Sequence, residues 1–210
     1  MDQINMKKIP VSVTYDPDQV YRPEADTYLL LEVALKEIRP GDRILEVGTG
    51  SGYIAAGITG LNQSGLEGND ASCFVVGTDI NPHAVRCARE KGVEVVRTRL
   101  FDGLRGSFDL IIFNPPYLPT RPEERVEDWL EYALDGGPDG RAVLSLFANE
   151  VGRVLAQGGR VLLLISSLTG EGAVVDIFRE LRYEVEMVAK RRVYDEDLLV
   201  LRILKNKNCN

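Results

Sequence analysis

Short apolar runs bounded by glycine, proline and polar clusters alternate along this chain with stretches whose apolar positions recur at helical spacing. That alternation predicts an α/β domain, a mostly parallel sheet with helices on both faces. Asp26 stands where it can cap a helix through Leu29, Leu30, Leu31 and Leu35, which ends before Pro40-Gly41. Arg43–Val47 reads as the first central strand, followed by a glycine-rich turn and a helix from Tyr53 to Thr59. After a polar loop over Leu61–Ala71, Cys73–Asp79 reads as the second strand. Pro82 suits the first turn of a helix that stops at Gly92. Val93–Arg97 is a short third strand, and Phe108–Phe113 a fourth, apolar enough to be buried on both faces. From Pro115 to Gly140 the chain is rich in proline, and a connection of that length inside a domain is usually functional. A helix over Arg141–Leu155, a fifth strand Gly159–Ile165 and a helix Gly172–Leu181 follow. Tyr183–Ala189 and Leu198–Leu204 read as a terminal antiparallel pair.

The length, 210 residues, suits one such domain, with residues 1–20 as a polar N-terminal extension and 206–210 as a frayed tail. The composition, 44% hydrophobic and 27% charged, is that of an ordinary globular protein. No apolar run reaches membrane-spanning length and the first residues lack a signal-peptide core, so the expectation is a cytoplasmic protein with no membrane partner. A formal charge of −7 weighs against nucleic acid as the main substrate, although Lys190, Arg191 and Arg192 could make a local patch. Cys73, Cys87 and Cys209 are odd in number and lack close spacing, which fits reduced thiols and no metal site. His83 is the only histidine, no nucleophile elbow accompanies it, and it reads as a helix-face residue.

Two motifs carry the chemistry. In Glu46-Val47-Gly48-Thr49-Gly50-Ser51-Gly52 a strand turns into a helix, and the glycines let the backbone turn sharply beside a ligand. The spacing lacks the two-residue gap of the dinucleotide fingerprint. Glu46 places a carboxylate beside the turn, which favours a cationic amino-acid group and would repel a pyrophosphate. Asp79 ends the second strand, where an acid can accept from both hydroxyls of a ribose. The second motif, Asn114-Pro115-Pro116-Tyr117, follows the fourth strand at the ligand-binding edge of an open sheet. Two prolines fix the backbone and remove two donors. The Asn114 side-chain oxygen and the Pro115 carbonyl can then face one NH2 group together, orienting its nitrogen toward an electrophile. Tyr117 can stack on a planar substrate group. The chemistry this suits is methylation of a planar nitrogen.

On these residues the chain resembles the class I, S-adenosylmethionine-dependent methyltransferases, which have a Rossmann-like, mostly parallel seven-stranded sheet. More narrowly it is similar to the short archaeal and eukaryotic branch of the HemK-like family, the protein-glutamine N-methyltransferases of release factors. The likeness runs from Tyr21 to about Lys205 and includes Val20–Thr27, similar to a segment that this branch lays over the cofactor, and Gly136-Gly137-Pro138-Asp139-Gly140-Arg141, similar to the family's stretch after the catalytic motif. Bacterial members carry an extra N-terminal helical domain, for which this chain has no room.

The resemblance implies S-adenosylmethionine as cofactor. Glu46, Gly48 and Gly50, with Gly52, would flank its methionine part. Asp79 and Ile80 would take the ribose side, and Tyr21 and Thr27 would come from the N-terminal segment. Asn114, Pro115 and Tyr117 would be catalytic, with Asn114 also near the cofactor. The family often has an acidic residue before Leu-Phe near the adenine. Here Arg99-Leu100-Phe101 stands there, so Asp102, after a local shift, or a backbone carbonyl would serve. The family's substrate is the glutamine of a Gly-Gly-Gln loop in a class I translation release factor, and some relatives methylate lysine. The short branch works with a small zinc-binding activator on an edge strand, here Val93–Arg97. Trp129, in the proline-rich stretch, reads either as local packing or as a contact to the protein substrate. Three other readings compete: an adenine-N6 methyltransferase on DNA or RNA, which would need a basic groove beside Asn114; a non-catalytic nucleoside-binding module; and a nicotinamide dehydrogenase, which the glycine spacing disfavours.

Overall fold

The computed structural model describes residues 16–63, 73–121 and 128–205. The N-terminal extension before Asp16, most of the predicted 61–71 loop, the tail and Cys209 lie outside the described residues. Seven strands form one sheet: β1 (Arg43–Val47), β2 (Phe74–Asp79), β3 (Val95–Arg97), β4 (Phe108–Phe113), β5 (Leu155–Ser166), β6 (Tyr183–Val193) and β7 (Glu196–Lys205). Their order is β3-β2-β1-β4-β5-β7-β6, parallel from β3 to β5 and antiparallel where β7 meets β5 and β6. The predicted architecture is therefore the observed one, and β3 is an edge.

The strand interiors explain why. In β4, Leu110 and Ile112 pack toward one face while Phe108, Ile111 and Phe113 pack toward the other. A strand apolar on both sides must be central, since either bare face would be costly. On one face α1 (Ala25–Glu37), α2 (Tyr53–Gln63) and α3 (Pro82–Glu90) bury residues such as Leu30, Ile58 and Ala88. On the other, Phe147 and Phe178 of α5 (Ala142–Val151) and α6 (Glu171–Glu180) fill the core. A short α4 (Glu131–Leu134) lies in the proline-rich connection. The start of α3 is as read from Pro82: Asn81 caps it by accepting from the His83 amide at 2.8 Å. His83 itself is a buried helix-face residue whose Nδ1 accepts from the Asp16 amide at 2.8 Å.

Several boundaries move. Helix α2 runs past Thr59 to Gln63, and β2 and β3 begin at Phe74 and Val95. Helix α5 stops at Val151, because β5 starts at Leu155, ahead of its glycine pair, and reaches β4 through a bulge between Phe108 and Leu110. The terminal strands are longer than their apolar segments. Lys190 and Arg192 both pair with Asp197 across the hairpin, at 2.9 and 3.4 Å, so its charged stretch is cross-strand pairing with a two-residue turn at Tyr194-Asp195. Among the described residues no helix is long and apolar enough to cross a membrane, and no group of three acidic, cysteine or histidine side chains could hold a metal.

Candidate active site

The carboxyl ends of β1, β2 and β4 open onto a cavity of about 750 Å³. That is within the range of cofactor sites, at the edge where open α/β sheets bind ligands. Tyr21, Thr27, Glu46, Gly48, Gly50, Asp79, Ile80, Asn114, Pro115 and Tyr117 all line it. Gly52 and Asp102 do not.

Glu46 ends buried under the turn that it starts. Its carboxylate accepts from the Thr49 hydroxyl at 2.5 Å and the Ala55 amide at 3.0 Å, tying the glycine turn to the first turn of α2. Burial pushes its pKa up to about 8. Asp79 brackets the turn from β2, accepting from the amides of Gly50 and Asn81 at 2.8 Å each, and burial raises it to about 6. Each of its oxygens retains acceptor capacity for a ribose hydroxyl. Gly52 serves packing instead: a Cβ there would lie 2.8 Å from Ala88, so its absence lets the turn seat on α3.

Asn114 follows β4, and its Nδ2 donates to Asp26 Oδ2 at 2.9 Å. A carboxylate offers only acceptors, so this bond fixes the amide's orientation and points Oδ1 the other way. That Oδ1 is shut off from solvent and has no donor among the described residues. An orphaned buried acceptor carries a desolvation penalty, and a ligand N–H would remove it. Asp26 lines the cavity and holds Asn114, a placement that sequence reading missed. It does not cap α1, whose N-cap is Glu24 without a side-chain bond. It is buried in the first turn, where it accepts from the Tyr21 hydroxyl and from the Thr27 amide and hydroxyl. The local clue was its place in Val20–Thr27; its partner Asn114 stands 88 residues away. Tyr117 borders the same acid, and burial with the charges of Asp26, Glu196 and Glu24 raises its phenol pKa well above the usual value.

At the β2–β3 end the cavity is closed by Ile80, Arg99, Leu100 and Trp129. Asp102, expected as an adenine contact after a local shift, is 3.3 Å from Arg99 in an exposed ion pair and does not line the cavity. Trp129 stacks on Tyr132 with ring centroids 5.4 Å apart, lies under Arg97 at 5.9 Å, and donates its backbone N–H to the Gln19 side chain. It packs locally and also walls the cavity. Among the described residues, six lining carboxylates (Asp18, Glu24, Asp26, Glu46, Asp79, Glu196) face two guanidiniums (Arg22, Arg99). Such a site favours a cationic ligand, and its described residues offer no basic groove beside Asn114.

Residues 22–128 match the family model described as the methyltransferase small domain. A Methanocaldococcus jannaschii protein, named provisionally as a protein N5-glutamine methyltransferase, is 38% identical over 189 residues, covering 87% of this chain and 90% of the relative. The human methyltransferase HEMK2 is 32% identical over 200 residues, 89% and 90% of the two chains. Among solved structures, the Mtq2 complex with Trm112 from E. cuniculi, described as methylating the termination factor eRF1, superposes with a TM-score of 0.67 at 25% identity, over 90% of this chain and 99% of the other.

Proposed function

The chain belongs to the methyltransferase small-domain family, on its HemK-like archaeal and eukaryotic branch, and from that premise we propose that it methylates the side-chain amide nitrogen of a glutamine in a class I translation release factor. The protein is an S-adenosylmethionine-dependent methyltransferase. The observation that carries the substrate reading is the buried Oδ1 of Asn114, held in place by Asp26 and without a donor among the described residues. A site that only bound a nucleoside would have no use for it.

The bound cofactor supplies a methyl group on a positively charged sulfur. Glu46 and the turn over Gly48 and Gly50 would hold its amino-acid end, Asp79 and Ile80 its ribose, and Leu100 and Trp129 its base, with Tyr21 and Thr27 closing the N-terminal side. The substrate's part belongs to this chain's own residues. Asn114 Oδ1 accepts one hydrogen of the amide NH2 and the Pro115 carbonyl the other, which aligns a weakly nucleophilic nitrogen and favours the positive charge it develops. Asp26, behind the Asn114 amide, adds negative potential on the same line. Tyr117 provides the flat wall for the planar amide.

The whole chain acts as one methyltransferase unit, and the cytoplasm, where termination occurs, is its place. Its partner is a small zinc-binding activator that adds a strand at β3. Val93 and Val95 are already buried within the protein, which leaves Val96, 42% exposed, as the apolar residue that such a strand would cover. The surplus of carboxylates around Tyr117 also favours a second reading, an amine acceptor such as lysine.

Radiolabelled S-adenosylmethionine with the cognate release factor, with and without the activator, decides between these. Label on the wild-type factor and none on a factor with its loop glutamine replaced by alanine is the expected result. Label that survives the replacement would move the acceptor elsewhere. Asn114→Ala should lower turnover by at least about 100-fold while cofactor affinity, measured by calorimetry, stays within a few-fold.

A further inference from the structure

The β6–β7 hairpin projects past the carboxyl end of β5 and closes at the pair Val193–Glu196, leaving Tyr194 and Asp195 as its tip. Tyr194 has a φ of +49°, the left-handed region that a two-residue turn usually gives to glycine or asparagine. Leu100, another non-glycine residue with positive φ, is offset by burial of its side chain. Tyr194 has no such offset, since 95% of it is exposed. An aromatic ring at a strained position, in full contact with water, contributes nothing to folding that glycine would not improve.

Its surroundings say what it contributes. Tyr194 and Asp195 form a shallow groove with Leu168, itself 53% exposed, and with Glu196. Glu196 is also a wall of the active-site cavity and is fixed there by the Ser166 hydroxyl, which donates to it. One side chain therefore belongs to both surfaces, and its charge acts on Tyr117 of the tetrapeptide. We propose that the Tyr194 tip and Leu168 form a docking surface for the protein substrate, gripping a segment outside the loop that carries the methylated side chain. The segment it fits carries an aliphatic residue for Tyr194 and Leu168, with a basic residue beside Asp195 and Glu196. Nucleic acid would meet these carboxylates unfavourably. Tyrosine at an exposed tip is the kind of residue that dominates protein–protein binding energy.

This inference rests on the release-factor reading, and the test separates the two. Steady-state kinetics would compare wild type, Tyr194→Gly and Leu168→Asn on the intact release factor and on a short peptide spanning only its glutamine loop. Tyr194→Gly is expected to raise KM for the intact factor about tenfold with kcat unchanged, to leave the peptide's kinetics alone, and to keep or raise the melting temperature because the backbone strain is relieved. Leu168→Asn should act in the same direction. Unchanged KM for the intact factor in both variants overturns the docking surface while leaving the reading intact. An equal loss on factor and peptide also overturns it, since the hairpin would then only shape the cavity. No transfer to the factor by the wild-type enzyme removes the reading and the docking surface together.

Discussion

Glu46 and Asp79 each carry more than one duty, and the difference between them sets how the site responds to pH. Both are buried acids that bracket the glycine turn, raised to about 8 and about 6 by burial. In the ligand-free protein Glu46 thus keeps its proton through neutrality, and a cationic ligand favours its loss. Cofactor affinity is expected to climb as pH rises toward 8, with protons released on binding at pH 7. Calorimetry in two buffers of different ionisation enthalpy would measure that release, and Glu46→Gln should remove most of it. The same group acts on stability with the opposite sign. Its folded pKa lies above the ordinary value of 4.5, so the fold binds the proton more tightly than the unfolded chain does. Its contribution is therefore lost as pH rises from about 4.5 to about 8. Denaturant melts of the ligand-free protein across that window check the direction.

Among the elements, the connection after β4 shows how a loop can be held as firmly as a strand. The segment over 136–142 backs the Asn114–Tyr117 tetrapeptide: the Gly136 amide donates to the Leu118 carbonyl, Thr120 N–H to the Gly137 carbonyl, and Leu118 and Asp135 form a parallel bridge. Arg141 anchors the segment to the Thr169 carbonyl at 2.6 Å. Gly140 is the point of closest approach, with a φ of +73° and a Cβ position 2.4 Å from the Tyr117 carbonyl oxygen. Any side chain there must push the tetrapeptide. Gly140→Ala should lower kcat by roughly 10- to 100-fold, since a shift of about 1 Å can have that effect, with cofactor affinity little changed because the glycine turn and Asp79 are on other strands. A matched loss of cofactor binding would place the damage elsewhere.

For the molecule as a whole, the end of the sheet opposite the site is held by a buried charge. Arg160 of β5, 1% exposed, pairs with Asp42 at 2.6 Å and Glu37 at 3.6 Å. It also donates to the carbonyls of Glu37 and Asp109, joining α1, β1, β4 and β5. Arg202 extends the network through Glu37 at 2.7 Å. Removing one partner strands the others, so Arg160→Met is expected to cost about 3–5 kcal/mol by chemical denaturation. A double replacement with Asp42→Leu should recover part of the loss if the stranded charge is the cause. Placed far from the cavity, this cluster stiffens the platform without entering the chemistry.

The sequence by itself determined the alternation of strands and helices, the doubly buried β4, the glycine turn with its acid and the tetrapeptide, because each is written in a few neighbouring residues. Backbone preference and burial of local runs act over that range. It also marked Gly136–Arg141 as a motif without saying what it does, since its task is a contact with Tyr117. What only the tertiary structure decided depends on partners far apart in the chain. Asp26 reads as a helix cap until Asn114 arrives beside it. Asp102 reads as a neighbour of the cofactor, and only the fold shows its exposed pairing with Arg99. Lys190 and Arg192 read as part of a local basic patch until they meet Asp197 across the strands. Local patterns encode which faces are apolar. The direction in which a polar side chain points is set by whichever partner the closed fold delivers, and no window of sequence contains both.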